Sequence, residues 1–140
     1  MEPAKILIML VGLPRSGKTT WALKQECPIV NPDAIRLALH GQAFIGDAEP
    51  MVWAIAKYMV KALFLAGHEK VILDACNNTC KRRDPWESES WVREFVVFAT
   101  PKETCLRRVS VMSVLGTQCG LERLTGGEHE LDRAQRPARR

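Results

Sequence analysis

The chain has 140 residues, a formal net charge of +4 and 46% hydrophobic residues. This length allows one compact domain, and the hydrophobic share is enough for a core, so a globally disordered chain is excluded. No apolar run approaches the ~20 residues of a membrane span, and no small-residue cleavage site follows the first apolar stretch, so we expect neither a membrane span nor a signal peptide.

The first part of the chain alternates strands and helices. In order, we predict a strand at 5–11, a helix at 18–26, a strand at 29–30 and a helix from 33 to about 40. The first strand is an uninterrupted apolar run, which is typical of a strand buried on both faces of a parallel sheet. Asp33 is predicted to cap the following helix, and Gly41 to end it. Residues 42–50 are predicted to form a loop, because glycine and proline punctuate them.

The rest of the chain continues this alternation. In order, we predict a helix at 51–66 ended by Gly67, a strand at 70–74, a helix from 79 to about 91, a strand at 95–98 and a helix from Pro101 to about 111. The longest helix has an apolar stripe, made of Val52, Ile55, Met59, Ala62, Leu63 and Ala66. The order β, α, β, α, α, β, α, β, α favours an α/β fold with right-handed crossovers, in which helices flank a mostly parallel sheet of four to five strands.

The cysteines and the charge placement narrow the class of protein further. The five cysteines form no Cys-x-x-Cys pair, which gives no support to a zinc-ribbon or thioredoxin-type site, and we expect reduced thiols in a cytoplasmic protein. Residues 107–140 hold seven arginines and four acids, a balance of +3. Such a basic segment either meets polyanions or is a solvated end, and its shortness favours the solvated end.

The strongest motif is the run Gly-Leu-Pro-Arg-Ser-Gly-Lys-Thr at 12–19, which matches the Walker A pattern in full between a strand and a helix. Its glycines let the backbone point N–H groups at phosphates, and the helix that follows adds its positive end. Lys18 is predicted to reach the β- and γ-phosphates and Thr19 to offer a hydroxyl to Mg²⁺. The predicted nucleotide-binding residues are Gly12, Leu13, Pro14, Arg15, Ser16, Gly17, Lys18, Thr19 and Thr20.

Two carboxylates and an arginine follow the second and third strands. Asp33 and Arg36 lie one helical turn apart at the carboxyl edge of the predicted sheet, which faces the ligand in open parallel sheets. Asp33 is predicted to accept the proton of an acceptor hydroxyl, and Arg36 to hold an acceptor phosphate. Alternatively, Asp33 only caps the helix and Arg36 is a surface residue. Asp74 ends the third strand and is predicted to support Mg²⁺, with a helix cap as the alternative.

Further basic and aromatic residues are candidates for contacts with an acceptor. Arg82 and Arg83 face either substrate phosphates or water, and spacing does not separate the two. Trp53, Trp86 and Trp91 are candidates for stacking on a base, although large apolar residues in helices are more often part of the core.

Three segments together resemble the phage-type polynucleotide 5′-hydroxyl kinases and their small P-loop kinase relatives. These segments are GLPRSGKTTWA at 12–22, NPDAIR at 31–36 and VILDACNNTCKRRDPWE at 71–87, and the similarity covers residues 5–108. The resemblance implies a three-layer P-loop NTPase fold, ATP and Mg²⁺ as cofactors and a nucleic-acid 5′ end as acceptor. We predict a single P-loop kinase domain over residues 1–140, with residues 116–140 as either a divergent lid or a disordered tail.

The resemblance also implies roles for individual residues. Lys18 and Thr19 match the residues that bind ATP and Mg²⁺, Asp33 the general base, Arg36 the arginine on the acceptor phosphate, and Asp74 the essential acid of the third strand. Arg107 matches an arginine that the lid helix directs at the donor phosphates, and its neighbour Arg108 can substitute for it. The family's second lid arginine has no counterpart, because residues 109–115 contain no basic residue and form either a strand or a packed helix. No phosphatase motif of the bifunctional members occurs in the chain.

Three functions follow as hypotheses. The first is an ATP-dependent kinase acting on the 5′-hydroxyl of DNA or RNA, which requires salt-sensitive contacts to phosphates. The second is a kinase of a small molecule such as a sugar, nucleoside or antibiotic, which uses the same Asp33 and phosphate loop without a polyanion. The third is a nucleotide-binding ATPase module with no acceptor, which the thin lid favours.

Overall fold

A computed structural model of the protein describes residues 4–41 and 44–113. Its elements are β1 (Ile6–Val11), α1 (Lys18–Leu23), β2 (Ile29–Val30), α2 (Pro32–His40), α3 (Glu49–Leu65), β3 (Lys70–Leu73), α4 (Cys80–Arg83), β4 (Val92–Val97) and α5 (Lys102–Ser113). Two 3₁₀ turns, Gly46–Ala48 and Asp84–Trp86, precede α3 and follow α4. The predictions for residues 116–140, with Cys119 and His129, lie outside the described residues.

The four described strands form one parallel sheet in the order β2-β3-β1-β4. Its register places Ile8 of β1 opposite Ile72 of β3 and Glu94 of β4, while Val30 of β2 pairs with Leu73. Helices cover both faces, so the predicted α/β fold, with a parallel sheet flanked by helices, is confirmed.

Alternate residues of β1 supply the cores on the two faces of the sheet, as the two-residue period of a strand requires. Leu7 and Met9 pack with α3, through Val52, Ala56 and Val60. The next residues, Ile8 and Leu10, pack on the opposite side with Ala22 of α1. A strand buried on both faces explains the uninterrupted apolar run of residues 6–11.

Three helix predictions need correction: one at the start of the helix, one at its end and one in its interior. The cap of α2 is Asn31 and not Asp33, since the Asn31 side chain accepts the Asp33 N–H at 2.8 Å and Pro32 takes the first helical position. The first helix ends at Leu23 instead of residue 26, since Lys24 and Gln25 donate to carbonyls only three residues back and Glu26 has a left-handed φ of 55°. Residues 79–91 are not one helix, because Pro85 has no N–H to continue α4, and Glu87 has an extended backbone.

The predicted stripe of α3 is also wrong in part. The buried residues are Val52, Ala56, Val60 and Phe64, at four-residue spacing, whereas Met59 is 40% exposed. Apolar residues occur all round this helix, so their spacing alone did not indicate which row meets the sheet. Strand β4 spans 92–97 instead of 95–98, because its pairing with β1 begins at Ile6 and Val92.

The topology brings four chain segments to the carboxyl edge of the sheet. The loop after β1 contains residues 12–17, α2 follows β2 after a single residue, and Asp74 directly follows β3. The segment after β4 leads through Thr100 to α5. This edge is where open parallel sheets bind ligands. In the described part of the chain, no helix is long and apolar enough to cross a membrane.

Candidate active site

A cleft of about 1090 Å³ lies at this edge of the sheet. It is lined by the loop after β1, α1, the first turn of α2, the end of β3 and α5. Seven basic and two acidic side chains line it, namely Arg15, Lys18, Lys24, Arg36, Arg82, Arg107 and Arg108, with Asp33 and Asp74. A basic cleft of this kind attracts polyanions such as phosphates.

The loop between β1 and α1 turns through two residues with left-handed φ, and one further position has no room for a side chain. Arg15 and Gly17 have left-handed φ values of 64° and 100°, and such turns direct successive N–H groups to one side. A Cβ on Gly12 would lie 2.7 Å from Ser16 Oγ and 3.0 Å from Phe98 Cβ. Gly12 and Leu13 lie behind the cleft, where Leu13 packs on Cys105, whereas residues 14–20 line it.

Lys18 is held inside this loop. Its Nζ donates to the carbonyl oxygens of Gly12 and Leu13, at 3.0 and 2.5 Å, and lies 3.4 Å from Ser16 Oγ. The side chain is only 7% exposed. Because these partners are loop carbonyls and a hydroxyl, the ammonium forms no ion pair among the described residues, and its positive charge at the base of the cleft suits a bound phosphate.

Thr19 and Asp74 meet at the end of β3. Thr19 Oγ1 donates to Asp74 Oδ2 at 2.6 Å, and Asn31 Nδ2 lies 3.5 Å from the same oxygen. Burial raises the pKa of the Asp74 carboxyl, and the Thr19 hydroxyl and the Lys18 charge oppose that rise in part. A metal cation beside Asp74 favours the ionised carboxylate in the same way as these two groups.

The oxygens of Thr19 and Asp74 fit a magnesium ion. Mg²⁺ is usually held by one or two carboxylates, waters and substrate phosphates, and not by a closed cage of side chains. No group of three or more metal-ligating His, Cys, Asp or Glu side chains exists among the described residues. A pair formed by one hydroxyl and one carboxylate next to a phosphate-binding loop is therefore the donor set expected for a metal shared with a nucleotide.

Asp33, Arg36 and Glu49 form an ion-pair network on the other wall of the cleft. Arg36 donates from Nη1 to Asp33 Oδ1, and from Nε and Nη2 to the two carboxylate oxygens of Glu49, at 2.6 and 2.8 Å. The guanidinium is 3% exposed, Glu49 is 16% exposed and Asp33 is 58% exposed. The hydrogen bond to Glu49 raises the pKa of Arg36, against the opposing effect of burial. Asp33 is therefore the carboxylate of this network that is exposed at the cleft.

The tryptophans divide between the site and the core. Trp53 lines the cleft, with the Arg36 guanidinium carbon 6.0 Å from its ring centroid. Trp86 and Trp91 are buried, and the Trp91 Nε1 donates to the Trp86 carbonyl at 3.0 Å. Only Trp53 of these three borders the cleft.

The arginines of the later segments have different surroundings. Arg107 and Arg108 of α5 both line the cleft, and Arg108 Nη1 donates to the Arg15 carbonyl at 2.8 Å. Arg82 lines the cleft as well, whereas Arg83 Nη1 donates to the Asn77 carbonyl at 2.8 Å. Arg108 therefore joins α5 to the phosphate loop, and Arg107 has only Thr104 of its own helix as a hydrogen-bond partner in the described residues.

Sequence reasoning missed four residues that hold this site. Glu49 clamps Arg36, and its position in a predicted loop gave no signal. Asn77 is fully buried and donates to the Leu10 carbonyl, and Asn78 accepts the N–H of Gly12. Thr100 donates to the Ser16 carbonyl at 2.8 Å. The Asp-x-x-Asn spacing from Asp74 was a usable signal for Asn77.

Several solved structures share this fold. No curated protein matches the chain. Among solved structures, a chain of the Pnkp1/Rnl/Hen1 RNA repair complex gives a TM-score of 0.78 at 24% identity, covering 95% of this chain and 46% of that chain. A second structure of the Pnkp1/Rnl/Hen1 complex gives 0.67 at 29% identity, covering 77% and 40%. A candidate kinase from Chloroflexus aurantiacus gives 0.56 at 18% identity, covering 83% and 69%.

The family assignment rests on a match to a sequence model. The protein spans less than half the length of the two chains from the RNA repair complex. The sequence model of the AAA domain family matches residues 7–112, which contain the phosphate loop, the network around Arg36 and Asp74. The resemblance to small P-loop kinases is confirmed. The chain belongs to the AAA domain family and has the fold of a small P-loop kinase.

Proposed function

We propose that this protein is an ATP- and Mg²⁺-dependent kinase that transfers the γ-phosphate to the 5′-hydroxyl end of DNA or RNA. The observation that carries the proposal is that Asp33 and Arg36 border the same cleft as Lys18, Thr19 and Asp74. Phosphoryl transfer to an alcohol needs a phosphate cradle, a metal site and a carboxylate at the acceptor hydroxyl, all within one site.

On the donor side, the loop binds the triphosphate with its backbone N–H groups. Lys18 exchanges its contacts with the Gly12 and Leu13 carbonyls for the β- and γ-phosphate oxygens. Thr19 and Asp74 hold Mg²⁺, which neutralises phosphate charge when it is bound. Arg107, which lines the cleft from α5, adds a second positive charge on the transferred group, with Arg108 beside it.

On the acceptor side, Asp33 orients the hydroxyl and takes its proton. The acceptor oxygen forms a bond to the γ-phosphorus, the bond from the γ-phosphorus to the bridging oxygen breaks, and ADP leaves with that electron pair. Arg36 holds Asp33 in position through the contact from Nη1. Three of its five N–H groups are used within the network, so an acceptor phosphate is met by the remaining Nη hydrogens.

Two observations favour a polynucleotide over a small acceptor. The cleft is strongly basic, with seven basic and two acidic side chains. The similar chains belong to an RNA repair complex.

We also infer from the sequence that the protein is cytoplasmic. That residues 1–140 form a single kinase domain stays a prediction.

The direct test is transfer of label from γ-labelled ATP to a 5′-hydroxyl oligonucleotide in the presence of Mg²⁺. We expect labelled oligonucleotide with the wild-type protein, and a loss of about 10²–10⁴-fold for Asp33→Asn with unchanged ATP binding. Glu69→Gln, which changes an exposed carboxylate at the opposite edge of the sheet, is the matched control and should not alter transfer. ATP binding without transfer to any acceptor overturns the proposal, and transfer to nucleosides alone redirects it to a small-molecule kinase.

A further inference from the structure

A second groove, of about 710 Å³, lies beside the cleft. We propose that this groove binds the backbone of a single-stranded polynucleotide, downstream of the 5′ end that lies at Asp33. It runs between the first three turns of α3 and the segment 79–86, and it shares Trp53 and Arg82 with the cleft. The inference rests on the proposed function, because that function supplies the position of the 5′ end.

The charge of the groove is the first support. Three of its nine lining side chains are basic, Lys57, Lys81 and Arg82, and none is acidic. Lys81 and Arg82 are exposed, and Lys81 forms no ion pair within the described part of the chain. Lys57 Nζ donates to the Pro85 carbonyl at 2.7 Å, which ties the two walls together. A groove whose charged side chains are all basic matches the negative charges that repeat along a phosphate backbone.

The apolar lining is the second support. Trp53 is half-buried and borders both cavities, while Trp86 is 4% exposed and forms part of the floor. Pro50 and Pro85 complete this apolar surface. Bases of single strands stack on aromatic side chains while their phosphates meet basic ones, so an indole flanked by lysine and arginine suits consecutive nucleotides. A fully charged, non-aromatic polyanion would leave the Trp53 surface unused.

The position of the groove fixes which acceptors reach it. Asp33 and Arg36 line the cleft but not the groove, and Trp53 and Arg82 lie between the two. A nucleoside 3′-monophosphate with its 5′-hydroxyl at Asp33 therefore occupies the cleft alone. Only an oligonucleotide extends past Trp53 to Lys81. The groove thus predicts a preference for long acceptors that comes from binding and not from the chemical step.

The experiment compares two acceptors in Lys81→Glu and in a matched control, Lys70→Glu. Lys70 is an exposed lysine at the start of β3, at the opposite edge of the sheet. We measure kcat/KM for a nucleoside 3′-monophosphate and for 5′-hydroxyl decanucleotides of DNA and of RNA, at several salt concentrations. Lys81→Glu should lower kcat/KM for decanucleotides about tenfold, reduce the salt slope by about one or more, and leave the mononucleotide unchanged. Lys70→Glu should change neither acceptor.

A binding measurement separates this inference from the proposed function. The affinity of a 3′-fluorescent, 5′-hydroxyl decanucleotide is followed by anisotropy without ATP. Weaker binding to Lys81→Glu than to wild type supports the groove, even if no acceptor is ever phosphorylated and the proposed kinase fails. Absent binding, or equal effects of the two lysine variants, overturns the groove and leaves the kinase standing if mononucleotides are phosphorylated. Equal competition by a polyglutamate peptide of matched charge overturns the assignment to nucleic acid.

Discussion

The two walls of the cleft are built in different ways. The donor wall consists of consecutive residues, 12–19, in which Lys18 Nζ donates to carbonyls of its own loop, such as that of Leu13. The acceptor wall depends on Glu49, which lies 13 residues beyond the Arg36 that it holds and on another helix. A local sequence pattern therefore identifies the donor wall, although Asn78 and Thr100 support it, whereas the acceptor wall exists only when α2 and α3 pack together.

On the donor wall, the largest effect is expected from Lys18→Ala. Removing the ammonium takes away the positive charge at the base of the phosphate loop, so transfer should fall about 10³-fold and ATP affinity should fall with it. Transfer from γ-labelled ATP and binding of a fluorescent ATP analogue measure the two effects. Lys70→Ala, on an exposed lysine outside the cleft, serves as the control. Unchanged ATP affinity in Lys18→Ala would remove the lysine from the donor site.

Asp74→Asn tests the metal position on the same wall. A neutral amide accepts the Thr19 hydroxyl bond but binds Mg²⁺ poorly, so the Mg²⁺ concentration needed for half-maximal transfer should rise about 10²-fold. Titrating transfer against Mg²⁺ at fixed ATP measures this shift. The same Mg²⁺ dependence in both proteins would contradict a metal role for Asp74.

The raised pKa of Asp74 predicts that the same variant, which weakens Mg²⁺ binding, stabilises the folded protein when Mg²⁺ is absent. The folded protein holds the Asp74 proton more tightly than the unfolded chain does. Its free energy of unfolding therefore decreases as the pH rises from about 3.9, the usual pKa of an aspartate, through the raised pKa of the folded state. In Mg²⁺-free buffer, urea unfolding of Asp74→Asn should lack this decrease and show higher stability at pH 7. Parallel pH profiles of wild type and variant would show that burial does not penalise the carboxylate.

Glu49→Gln tests the acceptor wall with an intermediate effect. The amide keeps one acceptor for Arg36 but loses the charge that pairs with it, so Asp33 is held less firmly and transfer should fall about tenfold at unchanged ATP affinity. Glu49→Ala leaves the buried guanidinium with Asp33 alone and should lower the free energy of unfolding by about 3 kcal/mol. Kinetics and urea unfolding, with Glu69→Gln beside them, measure these changes. A loss of ATP affinity in Glu49→Gln would show that the walls are not independent.

The contrast between the walls also explains how far the sequence predicts the molecule. The strands, their order of alternation and the phosphate loop follow from apolar runs and from glycine spacing, which are local properties. Asp33, Arg36 and Asp74 follow from their places after strands, because a parallel sheet gathers those positions at one edge. Glu49 and Thr100 do not, since their roles arise from packing between segments far apart in the sequence. Trp86 and Trp91 lie in the core, as the usual burial of large apolar residues favoured, although Pro85 ends the helix that was predicted to contain them.

The smallest effect is expected from Asn31→Ala, which acts on the acceptor wall through a helix cap. The Asn31 side chain accepts the N–H of Asp33 at 2.8 Å, so its loss frays the first turn of α2, where Asp33 lies. The free energy of unfolding should fall by about 1 kcal/mol, and Asn31→Ser should retain most of it because serine also caps helices. Transfer should fall a few-fold through KM for the acceptor, while ATP affinity stays the same, since the donor loop does not use this cap. If Asn31→Ala weakens ATP binding as much as acceptor binding, Asn31 acts mainly through its contact with Asp74, and the two walls share one support.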